Sequence, residues 1–366
     1  MRKSNWIIIA VLALLYVSHS LRAEISIEQL VEQAAIVEGE IASRDYPGWR
    51  REHTILVRER GYDLSAMDDV ENVDLVVVNS VADAMNHAGG VDAIIGFCDP
   101  ELIAAASDLV WVQIYWAGAE SCLSVEEIAS GEVILTNMQK MSSPVIAEHA
   151  IAMALSLARN IPQFVNAMSS GQWADGAEMR AGMMPVAGKR LLVVGLGGIG
   201  TEVARLGDAL GMHVTGTRNS SRSGPDFVDY VGLSHELNEL AGEADIIVNA
   251  LPLTDGTRGL LDEAFFAAVK PGAIFVNVGR GQTVDSEALL AALESGQISG
   301  AGLDVTDPEP LPADSALWQR DDVIITPHVA GSGGERERHS VLLMENLRRY
   351  VAGEPLLNVV DPAKGY

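Results

Sequence analysis

Short apolar runs alternate with amphipathic stretches along almost the whole chain. Ile55-Leu56-Val57, Leu75-Val76-Val77-Val78, Ala93-Ile94-Ile95 and Trp111-Val112-Gln113-Ile114 are runs of strand length. Between them, Val81 to Ala88 and Pro100 to Ala106 carry apolar positions at helical spacing. Such alternation predicts a parallel sheet with helices on its faces. Upstream, Glu24 to Gly48 reads as helix, with Leu30, Val31, Ala34, Ala35 and Val37 on one face. A longer helix is predicted over Pro144 to Arg159, bridging two lobes, and Met179 to Ala187 has no period and reads as a connection. The rhythm restarts at Arg190, with later strands at Val214–Thr217, Asp245–Val248, Ala273–Val276, Gly300–Leu303 and Val323–Ile325. A last helix, Glu335 to Val351, is expected to pack back on the first lobe.

The second lobe opens with the buried-strand run Leu191-Leu192-Val193-Val194, then Gly195-Leu196-Gly197-Gly198-Ile199-Gly200, then a helical stripe through Val203, Ala204, Leu206 and Leu210. Strand, glycine turn and helix together are the dinucleotide-binding context of G-x-G-x-x-G. Gly195 permits the tight turn, Gly197 lets backbone approach a pyrophosphate, and Gly200 lets helix and strand pack closely. The N–H groups of the turn, including Gly198 and Ile199, would then hold the phosphates at the positive end of the helix.

The chain has 366 residues, enough for two domains with their own cores, and a net charge of −25. That acidity excludes nucleic acid and anionic membranes as partners, since both need a basic face. Cys98 and Cys122 are its two cysteines; they have no metal-ligand spacing, one bridge could join them, and two ordinary reduced thiols are the favoured reading. No metal site is expected. At the amino terminus, Arg2 and Lys3 precede an apolar run from Trp6 to Val17 and a small-residue stretch ending at Ala23. Residues 1–23 therefore read as a secretory signal, too short for a membrane span. Export, to the periplasm for example, is the expectation, with no membrane association once the signal is removed.

After the glycine turn, an acidic residue about 20 positions on would grip the ribose hydroxyls of NAD. Thr217 holds that place, with Arg218 and Arg222 behind it. Two guanidinium groups suit a 2′-phosphate, so NADP(H) is the preferred cofactor, with NAD(H) as the alternative. Three later strands end on reactive groups: Asn277-Val278-Gly279-Arg280, then Leu303-Asp304 with Glu309 beyond, then Thr326-Pro327-His328. An arginine, a carboxylate and a histidine at successive strand ends amount to a carboxylate clamp plus an acid/base pair.

With these segments, together with Leu251-Pro252-Leu253-Thr254 and Thr257, the chain resembles the D-isomer-specific 2-hydroxyacid dehydrogenases from about Ile55 to Asn358. The resemblance implies two doubly wound parallel-sheet α/β lobes. A Rossmann dinucleotide-binding domain (147–334) is inserted in a flavodoxin-like substrate domain (24–146 and 335–366). It implies His328 as proton donor to a 2-oxo acid, Glu309 as the partner of its imidazole, and Arg280 as the ligand of the substrate carboxylate. Leu251, Pro252, Thr257, Val278, Arg280, Asp304 and His328 would contact the cofactor, and the Ala117 and Gly118 amides the substrate. Arg218 with Arg222 is similar to NADP-preferring glyoxylate and hydroxypyruvate reductases, and Phe97, Cys98 and Trp116 are candidates for the pocket lining. The resemblance also implies a homodimer acting on a small 2-oxo or 2-hydroxy acid. The rival reading is a catalytically silent NAD(P)-sensing protein of the same fold. A nicotinamide enzyme is ordinarily cytoplasmic, which makes that compartment the alternative to export.

Overall fold

A computed structural model describes residues 25–59, 67, 70–219, 221–334 and 336–365. The signal-like residues 1–23 lie outside the described residues. The first helix, Ile27–Ala34, starts on a capping box: the Ser26 side chain accepts the Gln29 N–H, and the Gln29 side chain accepts the Ser26 N–H. It does not continue to Gly48 as expected. Ala35 turns left-handed at φ 46° and closes it, and β1 (Glu38–Ala42) follows. β1 pairs antiparallel with the distant C-terminal strand Pro355–Leu357, a partner that local periodicity cannot reveal.

Strands β2 (His53–Arg58), β3 (Val73–Val78), β4 (Ala93–Ile95), β5 (Trp111–Gln113) and β6 (Ile134–Thr136) form one sheet in the order β3-β2-β4-β5-β6. Every pairing in it is parallel. Strands β7 (Arg190–Val194), β8 (His213–Arg218), β9 (Tyr230–Leu233), β10 (Ile246–Asn249), β11 (Ala273–Asn277), β12 (Ile298–Leu303) and β13 (Val323–Ile325) form the other. Their order, β13-β12-β11-β10-β7-β8-β9, reverses direction beside β7, and all neighbours run parallel. Both are doubly wound orders, which open a ligand crevice at the carboxyl ends of the strands. The last strand, β14, is the Pro355–Leu357 partner of β1.

The fully apolar runs are central strands because they are covered on both faces. Leu191 and Val193 pack with Ala150, Ala154 and Leu157 of the Ser143–Ala158 helix, while Leu192 and Val194 face Phe265 and Phe275 on the other side. The Ser143–Ala158 helix is apolar nearly all round because most of its surface is covered. The helix Arg336–Ala352 returns to the five-stranded sheet, where Leu343, Leu347 and Tyr350 share a core with Ile55 and Trp111.

The cysteine expectation is corrected. Cys98 and Cys122 are bridged, their α-carbons 5.6 Å apart, a separation typical of disulfides. They follow β4 and β5, neighbouring parallel strands, so the two loops leave the sheet side by side although 24 residues separate the cysteines. No helix among the described residues is long and apolar enough to cross a membrane.

Candidate active site

The glycine turn follows β7 directly. Gly195 sits at φ +94°, a conformation that costs a residue with a side chain. A β-carbon on Gly200 would strike the Gly195 carbonyl, whereas one on Gly197 would meet nothing within 4 Å. The turn is therefore closed underneath and open above. Gly197 caps the Gly198–Ala209 helix without a side-chain hydrogen bond, leaving the amides of the first turn to an anion.

Thr217 is buried and braces this turn, its hydroxyl accepting the Gly195 N–H at 3.1 Å and its carbonyl the Leu196 N–H at 2.9 Å. The two arginines behind it differ. Arg222 pairs with Glu236 at 2.8 Å and lies 5.7 Å from the centre of the Tyr230 ring. The Leu233 amide, the Tyr230 hydroxyl and Arg222 together hold the Glu236 carboxyl down at about 2, so the Arg222 charge is already answered. The Nε of Arg218, by contrast, is buried without a partner among the described residues.

Leu251 lies over the glycine turn, 3.0 Å from the place of a Gly195 β-carbon. Thr257 closes the loop beyond it, donating to the Pro252 carbonyl at 2.6 Å and accepting the Thr254 N–H at 2.8 Å. Phe97 is buried with the Arg58 guanidinium 5.2 Å from its ring centre, and Trp116 packs against both cores of the small sheet.

Arg280 leaves the end of β11 on a backbone held from below. The buried Asn249 side chain donates to Asn277 at 3.0 Å and to Thr283 at 2.8 Å; Asn277 and Thr283 in turn donate to the Arg280 carbonyl. Val278 beside it is buried. Gly279 is needed because any side chain there would meet the Leu251 backbone at 2.6 Å. The guanidinium reaches across to the five-stranded sheet, where its Nε donates to Glu120 at 3.0 Å and its Nη1 turns back to the Gly279 carbonyl at 2.9 Å. Its Nη2 lies directly over Gly118, where a β-carbon would collide with it.

Gly281 packs so closely on the Thr306 carbonyl that the Arg280 turn and the loop after β12 form one surface. That loop presents Glu309, whose Oε1 accepts the Thr306 N–H at 3.1 Å and whose Oε2 lies 3.0 Å from His328 Nδ1. His328 itself takes a left-handed backbone, φ 52°, uncommon for a side-chain-bearing residue and concentrated at functional sites. Buried Asp304 holds it there. Its oxygens accept the Val329 and Ala330 amides at 2.9 and 3.0 Å and the Thr326 hydroxyl at 2.6 Å. With both oxygens committed, Asp304 supports the histidine loop. His149 completes the brace through Thr326 at 3.0 Å. Sequence reasoning missed His149, the Asn249–Asn277 pair and the partner of Arg280. Glu120 lies two residues beyond Gly118, whose amide was the expected substrate contact.

The donor set fits a dinucleotide: an open glycine face, unbonded helix amides and an orphaned guanidinium nitrogen at the second strand. Residues 151–330 match the family model for the D-isomer specific 2-hydroxyacid dehydrogenase NAD binding domain. The glyoxylate reductase of Korarchaeum cryptofilum is 33% identical over 267 residues, 72% of this chain and 79% of that one. Glyoxylate/hydroxypyruvate reductase B of an Enterobacter species is 30% identical over 295 residues, 80% of this chain and 90% of its own. A Xanthobacter autotrophicus D-isomer specific 2-hydroxyacid dehydrogenase, solved with NADPH and MES, superposes with a TM-score of 0.72 at 31% identity, covering 85% of this chain and 99% of that one. Family model, relatives and strand order agree: the chain belongs to the D-isomer specific 2-hydroxyacid dehydrogenases and is an NAD(P)-dependent oxidoreductase.

Proposed function

We propose that the protein reduces small 2-oxo acids of the glyoxylate or hydroxypyruvate kind to 2-hydroxy acids, with NADPH preferred. One observation carries the reading: Arg280 and the His328–Glu309 couple stand on adjoining loops at the carboxyl edge of the sheet that bears the open glycine turn. A reduced nicotinamide dinucleotide, held by the glycine turn Gly195–Gly200 and Arg218, would supply the hydride equivalent for the carbonyl carbon. His328, held through Nδ1 by Glu309, donates its Nε2 proton to the carbonyl oxygen, and the reverse reaction returns it. Arg280 Nη2 and the Ala117 and Gly118 amides hold the carboxylate and polarise the neighbouring carbonyl. The assignment divides the chain into a substrate lobe (24–146 and 335–366) and a cofactor lobe (147–334), with the catalytic groups at their junction.

The unpartnered Arg218 Nε supports the NADPH preference, whereas Arg222 contributes less because Glu236 answers it. A homodimer is supported by the Ile161–Ser169 helix, which has no buried residue, and by Trp173, 93% exposed beyond it. Ile161, Val165 and Met168 would be covered by a second copy. Export is supported by the signal-like residues 1–23 and the Cys98–Cys122 bridge, which suits an oxidising compartment. Amino-terminal sequencing of fractionated protein tests it, and an intact Met1 in cytosol overturns it.

The deciding assay follows NADPH and NADH oxidation with glyoxylate and with hydroxypyruvate. Turnover with either acid is expected, and Arg218→Ser should lower the NADPH-to-NADH ratio of kcat/KM about tenfold or more, the worth of a charge-assisted hydrogen bond. Tight NADPH binding without turnover would instead make the protein a sensor.

A further inference from the structure

The ion pair between Arg280 and Glu120 adds a second charge to the substrate site. It joins two half-buried side chains, 27% and 31% exposed, from opposite sheets. Glu120 takes the Nε edge of the guanidinium and the Gly279 carbonyl takes Nη1, so Nη2 is the nitrogen turned toward Gly118. The place of a Gly118 β-carbon lies 2.5 Å from the other Glu120 oxygen, Oε2. One arginine and one glutamate carboxylate thus flank the surface on which the substrate carboxylate must settle.

The backbone that carries Glu120 is held in place. Asn137 donates to the Ala117 carbonyl at 2.6 Å, the Cys122 amide bonds the Ala119 carbonyl at 2.9 Å, and Cys122 is bridged to Cys98. The loop is therefore anchored on both sides of Glu120. Arg58, a cation at the end of β2, has its guanidinium against the Phe97 ring, and the cation paired with Glu120 is Arg280.

We infer that Glu120 is a specificity-determining and positioning residue: it aims Nη2 of Arg280 at the substrate carboxylate and restricts the site to 2-oxo acids bearing a single negative charge. With Arg280 half neutralised by Glu120, a first carboxylate is accepted through Nη2 and the loop amides. A second carboxylate or a phosphate on the same substrate would face the Glu120 charge, with the free edge of Arg280 already taken by the first carboxylate. Like charges separated by several ångströms in a partly exposed site repel enough to cost about tenfold to a hundredfold in binding.

This inference rests on the 2-oxo acid reading, and the experiment separates the two. It measures kcat and KM with glyoxylate, hydroxypyruvate and the dicarboxylate oxaloacetate for the intact protein, Glu120→Gln and Glu120→Ala. The intact protein should disfavour oxaloacetate by at least tenfold in kcat/KM. Glu120→Gln keeps an acceptor for the Nε N–H but removes the charge, so it should lower KM for all three acids and for oxaloacetate most. The oxaloacetate-to-glyoxylate ratio should then rise about tenfold. Glu120→Ala loses the aim as well and should raise KM for glyoxylate with kcat changed less. A loop-stabilising role alone would raise every KM and leave the ratio fixed in both variants. An unchanged ratio in Glu120→Gln, or intact protein that accepts oxaloacetate as readily as hydroxypyruvate, overturns the inference while the 2-oxo acid reading survives. No turnover of either glyoxylate or hydroxypyruvate by the intact protein overturns both.

Discussion

Two of the imidazole–carboxylate couples in the fold have opposite surroundings. His328 and Glu309 meet at 3.0 Å beyond the carboxyl ends of the seven-stranded sheet, with side chains 51% and 38% exposed. His53 and Asp92 meet at 2.5 Å at the amino ends of β2 and β4, both side chains fully buried. Asp92 also accepts the Thr54 amide at 2.7 Å and the Tyr350 hydroxyl at 2.9 Å, with Arg50 at 3.5 Å. Burial alone would push the Asp92 carboxyl up, but the hydrogen bonds from His53, Thr54 and Tyr350 outweigh it and hold the group below the usual carboxylate range. The buried couple ties strand starts to the last helix and reaches no substrate. The exposed couple has little packing around it and an open side for a reacting atom. The same two side chains serve structure in one place and chemistry in the other because exposure and neighbours differ.

The comparison predicts a double dissociation. His328→Ala should lower kcat/KM by about 10² to 10⁴, the usual worth of a positioned general acid. Its unfolding free energy should move by no more than about 0.5 kcal/mol, as for an exposed side chain. Parallel turnover and urea-melt measurements test this, and a large loss of stability would erase the contrast. Asp92→Asn should do the reverse, costing about 3–5 kcal/mol because Arg50 and His53 lose the buried charge between them. Turnover per folded molecule should be retained. The acid side gives a second reading. Asp92 titrates lower folded than unfolded, where a carboxyl ionises near about 3.9. Its contribution is therefore complete above that pH and is lost as pH falls through the lower, folded value. Asp92→Asn should flatten the acid limb of stability against pH, and an unchanged limb would refute the assignment.

Glu309→Gln probes the exposed couple more gently. The amide preserves size and one hydrogen bond but cannot balance a positive imidazole, so kcat/KM should fall about tenfold to a hundredfold. That is less than for His328→Ala, with melting unchanged. A loss equal to that of His328→Ala would mean that Glu309 itself touches the reacting atoms.

Much of the exposed site was legible because its parts are local. Leu191–Val194 is apolar throughout and becomes a strand buried on both faces, and the glycine spacing beyond it needs only its own backbone to form the turn. Arg280, Glu309 and His328 each follow an apolar run, so their place at strand ends could be read along the chain. What crosses the molecule could not. Arg280 meets Glu120 across 160 positions, β1 pairs with β14 from opposite ends, and the cysteines meet only because β4 and β5 are neighbours. Asn249 and Asn277 are polar residues at the ends of apolar runs, and their mutual hydrogen bond follows from register, which periodicity does not carry. The first helix stopped early for the same reason: Ala35 to Val37 continue an apolar pattern, but the segment beyond is drawn into pairing with a strand at the far end of the chain.

The smallest expected effect sharpens the buried side of the comparison. Tyr350 donates to Asp92 while its ring lies 4.8 Å from His53 and 5.0 Å from Trp111, centre to centre. Burial and the adjacent Asp92 charge raise its hydroxyl pKa well above the usual phenol value, so it keeps the proton it donates to Asp92. Tyr350→Phe keeps the ring packing and deletes one hydrogen bond to a charged acceptor, worth about 1.5–3 kcal/mol. Asp92 would keep His53, Thr54 and Arg50, so the loss should be smaller than for Asp92→Asn. The two changes act on one network and should not add: Asp92→Asn already removes the charge that makes the Tyr350 bond strong. A double variant losing clearly less than the sum of the two places Tyr350 within the buried couple. Strict additivity would leave the tyrosine a packing residue and the couple a simple pair.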